Sequence, residues 1–594
     1  MASASTAIQM TPSSILVLNT TVPFLPTACH LLFSSTLLQN YRRTMSASEI
    51  QESSDVRIAH TLHTKEEEFV HKRRETVFQA LQNLKIPCSK NEVPHIALLG
   101  SGGGQRAMVA LLGSLVQLYE EDLLDCILYL SGVSGSTWCM ASLYQEPDWS
   151  TKLETVKDKI IERLSGPQVS WGEARTKLKE YHYGKDFFSL TDVWAVMAVI
   201  TFVKEIDECK LSEQWDHLSK DPFPIYTVVD KQCKQHEDVC VDPWFEITPH
   251  EAGYSLSGAF VETSSFGCQF DKGHKIKDQP EMDMLYLQSL CGSCLADGDE
   301  IHKFLWDKIS EFLHRSSHSE MKNEDPKTPP VDKCHQALMD LADMNLCVLN
   351  DQDPSHLDQS LRTTLDDLDG YQLGFPTENM NPADKQAVKH LVNQHTKNVS
   401  NHLSRYSSMP DIQILTHIFK CMTSWIWGRH YNFLHNMKDE AVPAALQEGE
   451  TRDYEDSGLL NNSPYFSVLR EERHIDLIIS LDFSDGDPFM TVKKAAEMSK
   501  KLNLSFPEVN IPSEDVDNPK DFYVFKGKNA PTVIHIPLFN VVNCGGEIDY
   551  WRNKYRIVQD PYSAEKIIDL MKVAGKNISN NREKIKEQIQ AIIG

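Results

Sequence analysis

The chain has 594 residues, with 59 Lys and Arg against 84 Asp and Glu and a formal net charge of −25. That length supports a large core and exceeds a small single domain. The charge excludes nucleic acid as a partner and also excludes broad polybasic attraction to anionic lipid, so any membrane contact is expected to be local and apolar.

Residues 1 to 48 contain no Asp or Glu. The apolar patches Ile15 to Leu18 and Leu31 to Phe33 are interrupted by Thr20, Thr21, Pro23 and Pro26. Neither is long enough for a spanning helix. No basic segment precedes the first patch, which argues against a secretory signal. Arg42-Arg43 and the Ser/Thr content would suit a transit peptide; the reading carried forward is a disordered extension over residues 1–60. Thr64-Lys65-Glu66-Glu67 then has the form of a capping box. Val70, Val77, Leu81 and Leu84 follow on one helical face that ends near Pro87. The short stretch before the next motif leaves no room for a calcium-binding C2 sandwich of many strands.

His95 to Tyr144 is the most informative stretch. His95 to Leu99 is a short apolar run that ends in Gly100-Ser101-Gly102-Gly103-Gly104. Such a run reads as a buried strand. From Arg106 to Tyr119 the apolar residues recur at helical spacing. Cys126 to Leu130 is a second strand, followed by Gly132-Val133-Ser134-Gly135-Ser136 and a further helix. A serine between glycines on a strand-to-helix turn fits a nucleophile, because its neighbours lie in crowded backbone. The new helix also directs its amides and positive end toward Ser134. Gly103 and Gly104 can bring bare backbone N–H groups to a substrate oxygen, as an oxyanion hole requires. Arg106, in the first turn of its helix, is a candidate for a lipid phosphate or for a structural ion pair. The glycine loop lacks the spacing of a dinucleotide fingerprint and the Lys-Ser/Thr of a Walker A loop. Either motif alone is weak; two on consecutive strand–helix units are specific.

Downstream, Asp148 to Asp207 reads as helical. The dense run Val193 to Val203 suits either a buried helix or a lid over an acyl channel. Phe223 to Val229 reads as a core strand. Between Ser316 and Met409 the composition shifts to Asp, Asn, Ser, His and Pro. This predicts a solvated insertion of short helices and disorder over about 316–410. Its acidic cluster, Asp351 to Asp369, lacks the glycine and ligand order of an EF-hand. Asp456 precedes Ser457-Gly458 in a turn, where an Asx-turn is the plain alternative. Ile475 to Leu481 and Val533 to Leu538 read as strands, and Ala564 to Ile592 as closing helices. The fourteen cysteines are scattered, with no paired C-x-x-C for zinc. They read as reduced thiols of a cytosolic protein. The expectation is no metal and no cofactor.

Ser101 to Met108 (SGGGQRAM) and Leu130 to Trp138 (LSGVSGSTW) closely resemble the catalytic domain of the group IV cytosolic phospholipase A2 family, which is related to patatin. The resemblance runs over most of Glu66 to Ile592. It includes Trp244 to His250, Tyr431 to Leu434 and Asp456 to Leu459, and Cys291 stands where the family has Trp in a Trp-Gly-Ser segment. Size and the missing C2 module look most like the gamma branch. The ending Ala591-Ile592-Ile593-Gly594 lacks that branch's prenylation cysteine, which argues against stable anchoring. The resemblance implies an α/β fold, a central mixed sheet flanked by helices with a lid, in one catalytic domain over 61–594. It implies a Ser134–Asp456 dyad that hydrolyses fatty acyl esters of glycerophospholipids and lysophospholipids. It also implies calcium independence and a cytoplasmic location with peripheral association at intracellular membranes. Two rivals stay open: a Ser-His-Asp esterase using His474 or His535, and a catalytically silent lipid-binding scaffold.

Overall fold

The computed structural model describes residues 55–217, 220–235, 242–293, 298–319, 329–372, 385–406 and 408–594. The disordered extension expected over residues 1–60 lies outside this set through residue 54; its last residues differ from the expectation, since Val56–Ile58 form a strand paired with Ala259–Val261.

Its framework is a mixed sheet. The strands are β1 (Val56–Ile58), β2 (Ile96–Gly100), β3 (Tyr129–Gly132), β4 (Phe223–Asp230), β5 (Trp244–Ile247), β6 (Glu251–Tyr254) and β7 (Ala259–Glu262). A separate hairpin pairs β8 (Gln269–Asp271) with β9 (His274–Lys277). Then come β10 (Arg429–Tyr431), β11 (Thr451–Asp456), β12 (Leu477–Asp482), β13 (Tyr523–Phe525) and β14 (Thr532–Pro537). The order is β1-β7-β6-β5-β4-β3-β2-β12-β14-β13, with β10 on β11 and β11 on β4. The centre, β4-β3-β2-β12-β14, is parallel. Its strands are buried along their whole length. Parallel strands covered by helices on both faces need such unbroken apolar runs, which is why Ile96 to Leu99 and Leu477 to Ile479 lack polar alternation.

Helix α1 (Thr64–Asn83) starts one residue earlier in its cap than the capping box predicts. His63 is the N-cap, and its Nδ1 accepts from the Lys65 amide at 3.2 Å. Glu66 is unavailable for a box because it is fully buried and accepts from Arg473 Nε at 2.8 Å. Arg473 also donates to both oxygens of Glu246, at 2.8 and 2.9 Å, and Arg470 adds a 2.6 Å bond. Burial pushes the Glu246 carboxyl up, but the two guanidiniums outweigh it and hold the group at about 2. This network ties α1 to the sheet beneath it.

Helix α2 (Gly104–Glu120) follows β2, and α3 (Gly135–Tyr144) follows β3. The run Leu190 to Val203 is a helix with a π turn at Ala195–Val199. Val193 to Val199 are at most 2% exposed, so this segment is a core helix and not a surface flap. It precedes α4 (Met284–Cys291). The elements of the polar insertion and its flanks are helices: α5 (Gly298–Ser319), α6 (Pro329–Leu349), α7 (Ser355–Asp369), α8 (Lys385–Leu403) and α9 (Pro410–Ser424). Its polar composition sits on outer faces, while Leu338, Leu341, Leu361, Val399 and Ile418 are fully buried in the main core. The chain closes with α10 (Ala564–Ser579) and α11 (Arg582–Ile593). Where α10 crosses α2, a Cβ on Gly113 would lie 2.6 Å from the Met571 Cα, so only glycine permits that approach.

Ten described cysteines are free thiols, as expected. Cys233 differs: it is disulfide-bonded. Among the described residues no helix is long and apolar enough to cross a membrane.

Candidate active site

The parallel centre brings the C-terminal ends of β2, β3 and β12 to one edge of the sheet. Beyond that edge stand the glycine loop, Ser134 and Phe483-Ser484-Asp485. Ser134 has φ 52° and ψ −125°, a strained conformation for a residue with a side chain. It caps α3 and is 2% exposed, and its Oγ has no hydrogen-bond partner. The backbone around it is fixed: the Ser134 carbonyl accepts from the Thr137 amide at 2.9 Å and from Thr137 Oγ1 at 2.5 Å. The following position must be glycine, since a Cβ on Gly135 would sit 1.8 Å from the Gly104 carbonyl oxygen. The serine turn and the glycine loop are therefore in backbone contact.

Gly104 has φ 56° and is the first residue of α2. Its amide is one of those that a helix leaves without an internal acceptor. Gly103 packs against the residue that follows β12, where a Cβ would lie 2.9 Å from the Phe483 carbonyl oxygen. Gly102 faces the candidate serine, with the Ser134 Cβ 2.8 Å from the corresponding point.

Asp456 reaches this place through strand topology. Strand β4 carries β5 on one edge, paired from Tyr226 to Val229. Its other edge is shared: β3 occupies Phe223 to Tyr226, and β11 occupies Val228 to Asp230, running antiparallel. Asp456, the last residue of β11, pairs with Val228, two residues beyond the Tyr226 that faces Gly132. The two strands thus run toward each other along one edge and meet where β3 leaves the sheet for Ser134. Thr227 closes the junction by donating to the Gly132 carbonyl at 2.9 Å and bonding Ser457 Oγ at 3.0 Å. Asp456 is fully buried, and its Oδ1 accepts from the Gly458 amide at 2.8 Å. Gly458 lies between that oxygen and Val133, the residue before the serine.

Asn462 was invisible as a site residue in the sequence. Its carbonyl accepts from the Gly102 amide at 3.0 Å, and its Nδ2 donates to the Gly102 carbonyl at 3.1 Å and to Ser484 Oγ at 2.8 Å. It couples the aspartate turn to the glycine loop. Only its position five residues after Ser457 in the same glycine-bearing turn could have signalled this. Cys291, at the end of α4, is buried near Asp456; burial first, and then the aspartate charge, push its thiol far up.

Arg106 is 1% exposed. Its Nε donates to the Phe483 carbonyl at 3.0 Å and its Nη1 to the Tyr555 carbonyl at 3.1 Å, while Asp485 stands 3.9 Å away. Nη2 is buried without a hydrogen-bond partner. Burial lowers the guanidinium's affinity for its proton, and Asp485 opposes this.

Neither leading histidine adjoins the serine. His474 precedes β12, at the opposite end of the parallel strands from Ser134. His535 lies within β14, three strand positions from β3, which is about 14 Å of sheet. Its Nε2 donates to the Pro488 carbonyl at 2.7 Å.

A family model described as lysophospholipase catalytic domain matches residues 96–295. Cytosolic phospholipase A2 gamma of Mus musculus is 32% identical over 569 residues, covering 91% of this chain and 93% of the relative. The Homo sapiens protein of the same name is 30% identical over 576 residues, covering 91% and 97%. The solved structure of human GIVD cytosolic phospholipase A2 superposes with a TM-score of 0.61 at 21% identity, covering 91% of this chain and 69% of that one; it shares the fold. An elbow serine, a glycine loop behind it and this extent of similarity together place the chain in the cytosolic phospholipase A2 family.

Proposed function

We propose that this chain is a serine esterase that hydrolyses fatty acyl esters of glycerophospholipids and lysophospholipids through Ser134 and Asp456. The observation that carries the reading is the strained, buried Ser134 whose Oγ has no hydrogen-bond partner, set where β11 delivers Asp456. Asp456 takes the Ser134 proton as Oγ attacks the ester carbonyl. The Gly103 and Gly104 amides and the start of α3 hold the oxyanion. The lysolipid or glycerol oxygen leaves with a proton, and an acyl-serine remains. Asp456 then activates water, which releases the fatty acid and returns the proton to Ser134. A carboxylate can serve as base here because Asp456 is fully buried at the serine turn. Arg106 supports the lipid phosphate from behind the glycine loop. The relatives' names, cytosolic phospholipase A2, support the lipid substrate. The protein works without calcium, meets the membrane peripherally from the cytoplasm and needs no cofactor.

The test is labelling by a fluorophosphonate together with product analysis on defined lipids. Ser134→Ala abolishes both. Asp456→Asn abolishes turnover and acyl-enzyme formation with the fold intact. His474→Ala and His535→Ala stay within about an order of magnitude of the parent after correction for stability. An active Asp456→Asn protein beside a folded, dead histidine variant would replace the dyad with a triad. An unlabelled, inactive parent would leave the scaffold reading.

A further inference from the structure

Asn462 has one polar atom that its tethering role does not use. Its amide is anchored through nitrogen: Nδ2 donates to the Gly102 carbonyl at 3.1 Å and to Ser484 Oγ at 2.8 Å. A backbone carbonyl only accepts, so this contact fixes which end of the amide is nitrogen. The oxygen, Oδ1, accepts no hydrogen bond among the described residues. Asn462 is half-buried, and Oδ1 is not sealed from solvent.

Two glycines place that oxygen. A Cβ on Gly102 would lie 2.2 Å from Oδ1 and 2.8 Å from the Ser134 Cβ, so the oxygen and the serine are within about 5 Å of each other. A Cβ on Gly458 would lie 3.0 Å from Oδ1 and 3.1 Å from Asp456 Oδ1, so these two oxygens are within about 6 Å across the bare face of that glycine. One water spans such a gap with two ordinary hydrogen bonds. With an acceptor on each side, the place suits a molecule that has two protons to give. The second half of the proposed reaction uses one. As water attacks the acyl-serine, the base takes one proton, and an acceptor for the other holds the molecule in line. An alcohol has a single hydroxyl proton, which the base alone takes.

We infer that Asn462 Oδ1 is the second acceptor for the attacking water, and that it favours hydrolysis over acyl transfer to an alcohol. The inference rests on the proposed acyl-serine at Ser134 with Asp456 as its base. The water oxygen bonds to the acyl carbon as one proton passes to Asp456. The bond from that carbon to Oγ breaks, and Oγ takes the proton from Asp456. The fatty acid keeps the second proton, which is donated to Oδ1 throughout the attack.

The test is a partition experiment on the full chain. A soluble p-nitrophenyl ester is turned over at a fixed concentration of methanol, and the free acid and the methyl ester are quantified. Both products come from one acyl-enzyme, so their ratio does not depend on how fast it forms. Asn462→Ala is expected to raise methyl ester over acid about tenfold, the worth of one hydrogen bond to the water. It also slows deacylation more than it slows fluorophosphonate labelling, which consumes no water. Asn462→Asp keeps an acceptor but loses both amide donors, and Ser484→Ala loses one tether. Both are expected to hold the ratio within about twofold of the parent, whatever their overall rates. If the alanine variant does not fold, the isosteric Asn462→Leu carries the same expectation. An unmoved ratio in the alanine or leucine variant, or an equal shift in Asn462→Asp, overturns the inference and leaves Asn462 a tether. A parent that forms no acyl-enzyme overturns the esterase reading first, and the inference with it.

Discussion

Gly135→Ala is the sharpest probe of the site's construction. The new Cβ would lie 1.8 Å from the Gly104 carbonyl oxygen, where ordinary contact begins at 3.4 Å, so one backbone must retreat by about 1.6 Å. Neither side is a flexible side chain. One carries Ser134 and the other the Gly104 amide proposed for the oxyanion. A 1 Å misplacement in a reacting constellation costs about 100-fold, so turnover should fall at least that far. The overpacking should also cost roughly 1–3 kcal/mol of stability. Gly458→Ala is milder, because its Cβ would meet the Asn462 Oδ1 at 3.0 Å, a side-chain atom. Gly184→Ala is the control, with no heavy atom within 4 Å. The assays are hydrolysis of a soluble ester, the rate of fluorophosphonate labelling and thermal unfolding. Activity should rank Gly184→Ala, then Gly458→Ala, then Gly135→Ala. A Gly135→Ala enzyme within threefold of the parent, or an inverted ranking, would refute the backbone contact between the two motifs.

Arg106→Ala should lower phospholipid turnover ten- to hundredfold more than hydrolysis of a neutral soluble ester, the worth of about 1.5–3 kcal/mol of charge-assisted contact; equal losses on both would assign Arg106 to its carbonyl contacts alone. Asp242 is buried, its Oδ1 has no hydrogen-bond partner, and burial raises its carboxyl to about 7 against the amides of Ser257 and Leu256. The folded state therefore holds a proton that the unfolded chain has released. This contribution is complete below about pH 4 and is lost as pH rises through 7, by up to about 4 kcal/mol. Asp242→Asn should flatten that decline in a denaturant titration, and an unchanged slope would contradict the buried neutral carboxyl. Activity on dispersed lipid should survive a calcium chelator. The acidic cluster forms helix α7, with Asp358 on Arg362 at 2.8 Å, rather than a calcium loop; loss of activity restored by calcium would overturn this.

The central strands and the helices after them were legible because a parallel sheet writes unbroken apolar runs, and glycine marks where each run stops. Ile96 to Gly100 and Thr532 to Pro537 fall within a residue or two of their expected places. The serine turn was legible for a related reason, since a strained φ and a 1.8 Å approach leave glycine few substitutes. Asp456 could be named only through family resemblance. Its position depends on β3 and β11 sharing an edge of β4, a pairing that no local pattern encodes. Asn462 and the Arg473–Glu66 pair escaped notice for the same cause: each joins segments more than 350 residues apart. The insertion looked solvated because average composition hides the spacing of its leucines on amphipathic helices.

The shared edge of β4 also sets when the protein can act. During synthesis the serine turn emerges early, but β11 follows the whole insertion. Until it docks, half of that edge is bare and Asp456 is not yet beside the serine turn. The slowest contacts to form are those that span the longest stretch of chain. On the proposed mechanism, a ribosome-bound or partly folded intermediate therefore carries Ser134 without its partner Asp456. On the proposed dyad, the strand that completes the sheet is also the one that brings the base, so activity is expected only once the chain has finished folding.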